Sequence, residues 1–182
     1  HGVQYDSRGR LHVTWCWREG ASGGLVRSGS KGHSGKNTNH DLLYAYSDDG
    51  GNTWRSDRGT LIASATKAAA GGPGPISVAS PGITVDSIPM NRGLMNTTAQ
   101  AVDHQGRVHV ILALDDYVTY YHSWREGAGS WHRRKLPFRG VRPELVIGQN
   151  GDALLVLRAL QSGHLQIAAG TASNRWSDWR IV

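Results

Sequence analysis

Asn39, His40 and Asp41 set a histidine between an amide and a carboxylate. A neighbouring carboxylate raises the basicity of an imidazole and fixes its tautomer, so His40 is the first candidate for moving a proton. His12 is the second. Tyr121, beside Tyr120 and just before His122, offers a hydroxyl suited to act as acid or base. Arg142, before Pro143, and Arg139 carry guanidinium forks that hold a carboxylate through two parallel hydrogen bonds, and Arg18 and Arg125 lie near other strand ends. Each has a plainer competing role. Asn39 and Asp41 are turn formers, and His40 could simply bond a backbone carbonyl. His109 stands where His12 stands in the next repeat, which suggests a structural residue. A tyrosine can be buried with its hydroxyl satisfied, and an arginine can face solvent.

Strands must position these groups. Leu11, Val13, Trp15 and Trp17 alternate with His12, Thr14 and Cys16, as on a strand with two unlike faces. No stretch shows a period of 3.6, and the alanine-rich run 66–70 is too short to hold a helix alone. Three segments share one pattern: Tyr5-Asp6-Ser7-Arg8-Gly9-Arg10, Val102-Asp103-His104-Gln105-Gly106-Arg107 and Ile147-Gly148-Gln149-Asn150-Gly151-Asp152. Each reads as a strand end, a turn whose glycine takes positive φ, and a new strand. Gly106 to Trp131 and Gly151 to Trp176 are both 25 residues, and Gly106 to Gly151 is 45. Gly9 to Trp54 is also 45, so the first unit carries about 20 additional residues, placed at 18–38. A period near 45 with four strands per unit is the mark of a β-propeller. In the second unit the strands are expected near Ala99–Asp103, Arg107–Ala113, Thr119–Trp124 and Trp131–Leu136. The chain reads as a single all-β domain over 1–182, with units near 1–60, 98–140 and 141–182 and insertions at 18–38 and 56–96. Three units do not close a ring. The expectation is therefore a partial, truncated propeller of three to four blades, unless a divergent blade lies within 56–96.

Composition agrees with a turn-rich β fold: 24 glycines, seven tryptophans and one phenylalanine in 182 residues. The net charge of +6 suits an anionic partner, although a basic surface can be merely a soluble one. No window of 18 apolar residues occurs, so no membrane partner is expected. No nucleic-acid motif accompanies the charge, so no nucleic-acid partner is expected either. Cys16 with His12, His33, His122 or His132 matches no metal-ligand spacing. A structural zinc or calcium is unsupported, and no cofactor is required.

Ser47-Asp48-Asp49-Gly50-Gly51-Asn52-Thr53-Trp54 fits Ser-x-Asp-x-Gly-x-Thr-Trp. Ser47 and Asp49 can cap turn amides, Gly51 permits the tight path, Thr53 closes it and Trp54 packs beneath. The segment resembles the Asp-box, or BNR repeat, of sialidase-like propellers, where the motif is structural. Gly9–Glu19, Asn39–Ser47, the stretch from Ala101 to His109 and the stretch from Tyr120 to Arg125 together resemble the BNR-4 type propellers. That family includes ulvan lyases and related polysaccharide lyases on seven-bladed propellers, and its domain extends upstream of His1.

The resemblance implies cleavage of a uronate-containing, ulvan-like acidic polysaccharide by β-elimination. A base takes the C5 proton, a cation neutralises the carboxylate, and an acid protonates the leaving oxygen. It implies an active-site histidine at His40, paired with His12. Tyr121 would serve as acid or base and Arg142 or Arg139 as the carboxylate partner. Asn39, Arg18, Arg125, Trp17 and Trp124 would bind substrate, the tryptophans by stacking on sugar rings. Two alternatives remain. One is a sialidase-type glycoside hydrolase, for which glutamate is scarce (Glu19, Glu126, Glu144) and no arginine triad is clear. The other is a non-catalytic carbohydrate-binding propeller. The family further implies a secreted or periplasmic protein, and a monomer is expected.

Overall fold

The computed structural model describes residues 2–19, 35–65, 72–95, 99–116 and 118–182. Most of the 18–38 insertion, the 66–70 run and His33 lie outside them. Fourteen strands in the described residues form three antiparallel sheets, with helix limited to one turn at Gly35–Thr38 and a 3-10 turn at Ala172–Asn174.

The first sheet runs β1 (Gly2–Tyr5), β2 (Leu11–Arg18), β3 (Asn39–Ser47), β4 (Thr53–Arg55) and β5 (Leu61–Ser64), with β6 (Thr84–Asp86) paired to β3. The second comprises β7 (Ala99–Val102), β8 (Val108–Leu114), β9 (Thr119–Gly127) and β10 (Ser130–Arg139). The third comprises β11 (Val141–Ile147), β12 (Ala153–Arg158), β13 (Leu165–Gly170) and β14 (Arg180–Ile181). Strands β7 to β10 fall where alternation placed them. The described part of 56–96 builds no sheet of its own. It extends the first sheet with β5 and lays β6 against β3.

The three repeated turns share one hydrogen-bond pattern. Asp6, Asp103 and Gly148 donate their N–H to the carbonyls of Arg10, Arg107 and Asp152, at 2.9, 3.0 and 2.8 Å. The glycines Gly9, Gly106 and Gly151 have φ of 83°, 80° and 83°, which a Cβ would resist. A fourth copy, Ser56–Thr60, joins β4 to β5 with the same bonds. Its Ser-Asp-Arg-Gly-Thr sequence parallels the Tyr5–Arg10 turn and was legible once the pattern was known.

The first strands of the three sheets lie side by side, β1 against β7 and β7 against β11. Glutamines stitch the first pair. Gln4 accepts from the Val102 N–H at 3.0 Å, and Gln100 accepts from the Thr14 hydroxyl at 2.6 Å. The sheets share their orientation, because the β7–β8 turn at Gly106 lies beside Asp6 of the β1–β2 turn. The end where β2 and β8 finish and β3 and β9 begin is called the upper end below.

Alternation then divides the core. On β8, Val108, Val110, Leu112 and Leu114 pack toward the first sheet, and Ile111 and Ala113 toward the third. On β3, Leu42, Tyr44 and Tyr46 meet the second sheet, while Leu43 and Ala45 pack with Ile62 and Ile83 on the opposite face. The periodic tryptophans are wedges, one per layer: Trp54 against the outer face of the first sheet, Trp131 between the first and second sheets, Trp176 between the second and third.

The Ser47–Trp54 turn is closed by its own side chains. The Ser47 hydroxyl donates to Asp49 Oδ1 at 2.8 Å and accepts the Gly51 N–H at 2.8 Å. Asp49 accepts the Thr53 N–H at 2.8 Å and its hydroxyl at 2.7 Å. These Thr53 and Ser47 bonds hold the Asp49 carboxyl down to about 2. Between the second and third sheets, His109 and His122 stack with ring centroids 5.2 Å apart, both against Trp176. His109 Nδ1 meets His122 Nε2 at 3.0 Å, and His109 Nε2 lies 3.5 Å from Asp103. Burial pushes both imidazoles below the ordinary histidine value. Asp103 opposes the shift at His109, and the charges of His109 and Arg134 add to it at His122.

Two predictions follow from this packing. Ser47→Ala removes a buried two-way bond and is expected to cost about 1–2 kcal/mol, seen as a melting temperature lower by about 2–8 °C. The buried histidines bind fewer protons folded than unfolded, so stability rises with pH until the unfolded value near 6.5 is passed and is lost as pH falls below it. The melting temperature should drop on acidification below about pH 6.5, and His122→Phe should flatten that slope. An unchanged slope would remove the pair from the account.

Candidate functional site

The upper end of β3 carries a bulge. Trp15 pairs with Leu43 and Trp17 with His40, so β3 spends one more residue than β2 over the same span. Asp41 takes up the excess with φ of 55°, unusual outside glycine. Ile88 holds it there in both directions. The Asp41 N–H donates to the Ile88 carbonyl at 2.9 Å, and Asp41 Oδ1 accepts the Ile88 N–H at 2.9 Å. The other carboxylate oxygen, Oδ2, meets His40 Nδ1 at 3.0 Å. An ionised carboxylate only accepts, so Nδ1 carries the proton in the neutral ring and Nε2 presents its lone pair. Nε2 is itself buried, has no hydrogen-bond partner among the described residues and lies 3.6 Å from Glu19 Oε1. The His40 side chain is 18% exposed. This is the geometry of an oriented general base: one nitrogen fixed by a carboxylate, the other without a hydrogen bond among the described residues and near a second carboxylate placed to stabilise the imidazolium.

Neighbours complete the corner. Trp17, the cross-strand partner of His40, shares its face, and Arg18 pairs with the buried Asn39. Trp17 is partly exposed and meets Trp15 edge-on with centroids 6.1 Å apart.

A second cluster occupies the upper end of the second sheet. The Tyr121 hydroxyl donates to Asp115 Oδ2 at 2.7 Å, and Asp115 Oδ1 accepts from Arg92 at 2.5 Å. Burial and the Asp115 bond push the Tyr121 hydroxyl above its ordinary value, so it keeps its proton. That suits an acid and argues against a base. Gly93, φ 70°, lets the chain touch Asp115, where a Cβ would come within 2.8 Å of the Asp115 carbonyl oxygen. Arg139 is ion-paired with Asp116. Arg142 sits in a bulge of β11 at φ 56°, exposed and with no ion-pair partner among the described residues. The 88–92 segment joins the two clusters: Ile88 holds Asp41, Asn91 donates to the Asn37 carbonyl at 3.1 Å, and Arg92 reaches Asp115. Tyr121 packs on the side of the first sheet that faces the second sheet, whereas His40 shares the opposite face with Trp17. The two therefore share an end but not a face.

Three expected site residues lie elsewhere. His12 pairs with Tyr46 near the lower end of β2, five residues from Trp17, which is roughly 17 Å along a strand. It is 1% exposed, bonds the Tyr44 hydroxyl at 2.8 Å and faces Asp6 at 3.4 Å. His109 faces Asp103 in the same way, so the repeat uses this histidine to back the turn aspartate. Arg125 donates to Asp57 at 2.6 Å, and Asp57 also accepts the Gly129 N–H, forming a clamp between the first and second sheets. Trp124 is buried among His122, His132 and Trp176, with no open face for a sugar ring. These corrections share one cause: alternation gives a face but not which faces a second sheet will cover. No group of His, Cys, Asp and Glu among the described residues is arranged for a metal, and burial pushes the Cys16 thiol up to about 11. Sequence reasoning missed Ile88, Arg92 and Asp115. They come from distant segments, and nothing local signals their meeting.

Comparison with known proteins gives a consistent picture. No curated protein matches the chain. Among solved structures, the polysaccharide lyase Uly1 aligns with a TM-score of 0.57 at 16% identity, over 100% of this chain and 36% of that one. A protein of unknown function from Dyadobacter fermentans DSM 18053 aligns with a TM-score of 0.57 at 14% identity, over 98% of this chain and 49% of that one. At such identities the likeness is one of fold, and the chain spans about a third and about half of their lengths. A family model for BNR repeat-containing family members matches residues 1–139. With three quarters of its length matched, together with its repeated turns, the chain belongs to the BNR repeat-containing family.

Proposed function

We propose that this chain contributes the general base of a polysaccharide lyase acting on an acidic, uronate-containing, ulvan-like polymer. One observation carries the reading: His40 is oriented through Nδ1 by Asp41 while Nε2 has no hydrogen-bond partner among the described residues. In the elimination, the Nε2 lone pair takes the C5 proton, and the C5–H bonding pair left behind forms the C4–C5 double bond. The C4–O bond breaks, and an acid protonates the departing oxygen. Tyr121, kept protonated beside Asp115, is the candidate acid. Arg142, exposed and without an ion-pair partner among the described residues, is the candidate carboxylate clamp, ahead of Arg139, which already pairs with Asp116. The net charge of +6 favours an anionic chain, and the fold shared with a polysaccharide lyase is consistent with the choice. Such a polymer is met outside the cell or in the periplasm, and we place the protein there.

The same reading takes the three sheets as consecutive propeller blades with β1, β7 and β11 innermost. The exposed apolar side chains Val146, Leu154 and Ile167 on the outer face of the third sheet support it, because that face resembles the covered ones.

A non-catalytic carbohydrate-binding role is the second reading. It is favoured by the Tyr121 hydroxyl being committed to Asp115 and lying on a different face from His40.

The decisive assay follows the ultraviolet absorbance of unsaturated uronate when protein is mixed with ulvan and other uronate polymers. His40→Ala should lower turnover by about 10²–10⁴-fold and leave the thermal melt intact. His12→Ala should act through stability instead, with activity per folded molecule retained. Polymer binding without any unsaturated product, unchanged in the His40 variant, would establish the second reading.

A further inference from the structure

A groove of about 220 Å³ runs along the side of the molecule, between β6 of the first sheet and the edge strand β10 of the second. Val85 and Asp86 form one wall, and Ser123, Trp131, His132 and Arg133 the other. Strand register places Ser123, Trp131 and Arg133 on one face. Arg133 lies opposite Ser123, and Trp131 opposite Arg125, two residues further along β9. That face also carries Tyr121 and is the one turned toward the first sheet.

The polar inventory of the groove is specific. Asp86 and Arg133 form an ion pair at 2.8 Å, with side chains 21% and 33% exposed, so the charges cancel. Ser123 is 1% exposed, and its hydroxyl has no hydrogen-bond partner among the described residues. The Trp131 indole N–H is likewise buried and without a partner among those residues. Buried polar atoms are ordinarily satisfied, so two orphans on one groove wall call for an occupant.

Chemistry narrows that occupant. A phosphate or free carboxylate would meet an arginine already neutralised and an aspartate that repels it. A cation would meet Arg133. His132 is already engaged with Glu126 at 3.1 Å, and a neutral ring with adjacent hydroxyls suits the other groups: a hydroxyl pair can bridge the Asp86 carboxylate and the Arg133 guanidinium, another can take the indole N–H and bond Ser123, and the C–H face can lie on Val85. The volume falls below the roughly 300–1,000 Å³ of sites for drug-sized ligands and suits a single ring. We infer that this side groove binds one neutral sugar residue, apart from the His40 corner and independent of the reaction proposed there.

Saturation-transfer NMR and calorimetry with methyl glycosides of galactose, xylose, glucose and rhamnose test it, with glucuronate and inorganic phosphate as charged probes. At least one neutral glycoside should bind, with both charged probes weaker. Ser123→Ala and Trp131→Phe should each weaken that binding by about 5–10-fold, the loss of one hydrogen bond, with circular dichroism unchanged. His40→Ala should leave it unaffected. Glycoside binding in a protein that cleaves no polymer would uphold the groove while removing the lyase reading. The inference is overturned if no neutral glycoside binds, if a charged probe binds more tightly, or if binding is indifferent to both groove substitutions.

Discussion

Sheet packed on sheet is the constraint from which the rest of this molecule follows. The second sheet is covered on both faces, so every residue of β8 from Val108 to Leu114 is buried. A strand in that position has no room for an exposed reactive group along its length. Of the histidines inside the stack, His12 and His109 back a turn, and His109 and His122 pair with each other. Chemistry is left to strand ends, bulges and the grooves between sheet edges, where the covering is incomplete.

The bulge at Asp41 shows how such an end is made to orient an imidazole. A left-handed backbone at a non-glycine residue carries strain, and it persists only when its surroundings overdetermine it. Here the two bonds to Ile88 do so. The result is that one aspartate has two roles, with Oδ1 tied to the strap at Ile88 and Oδ2 orienting His40. The strap continues through Asn91 and Arg92 to Asp115, so the same segment that fixes the histidine also fixes the position of Tyr121.

The tryptophan spacing has an equally physical reading. A tryptophan recurring at the same point of each repeat, whatever is inserted between, lands at an equivalent place beside each successive sheet. Trp54, Trp131 and Trp176 fill three different layers between or beside sheets. The layers are not equivalent in chemistry, however. The one between the second and third sheets holds a stacked histidine pair, whereas the one between the first and second holds Tyr44 and Tyr46. The stacked pair makes the former a source of pH-dependent stability, and buried His12, bonded to Tyr44 and likewise pushed below the ordinary histidine value, adds to it from the latter.

Local sequence was enough for the all-β character, the turn chemistry and most strand positions, because period-two alternation and glycines at positive φ are properties of short segments. It was also enough to single out His40 beside Asp41, since a neighbour in sequence is a neighbour in space. It misplaced His12, Arg125 and Trp124, because alternation assigns a side chain to a face without saying what covers that face. Trp124 looks like a sugar platform until the third sheet buries it. Arg125 looks like an anion ligand until Asp57, 68 residues away, claims its guanidinium. The meeting of Ile88 with Asp41, of Arg92 with Asp115 and of Asp86 with Arg133 was likewise settled only by tertiary packing. Those contacts join segments that no local preference links, and they exist because the sheets stack in one order.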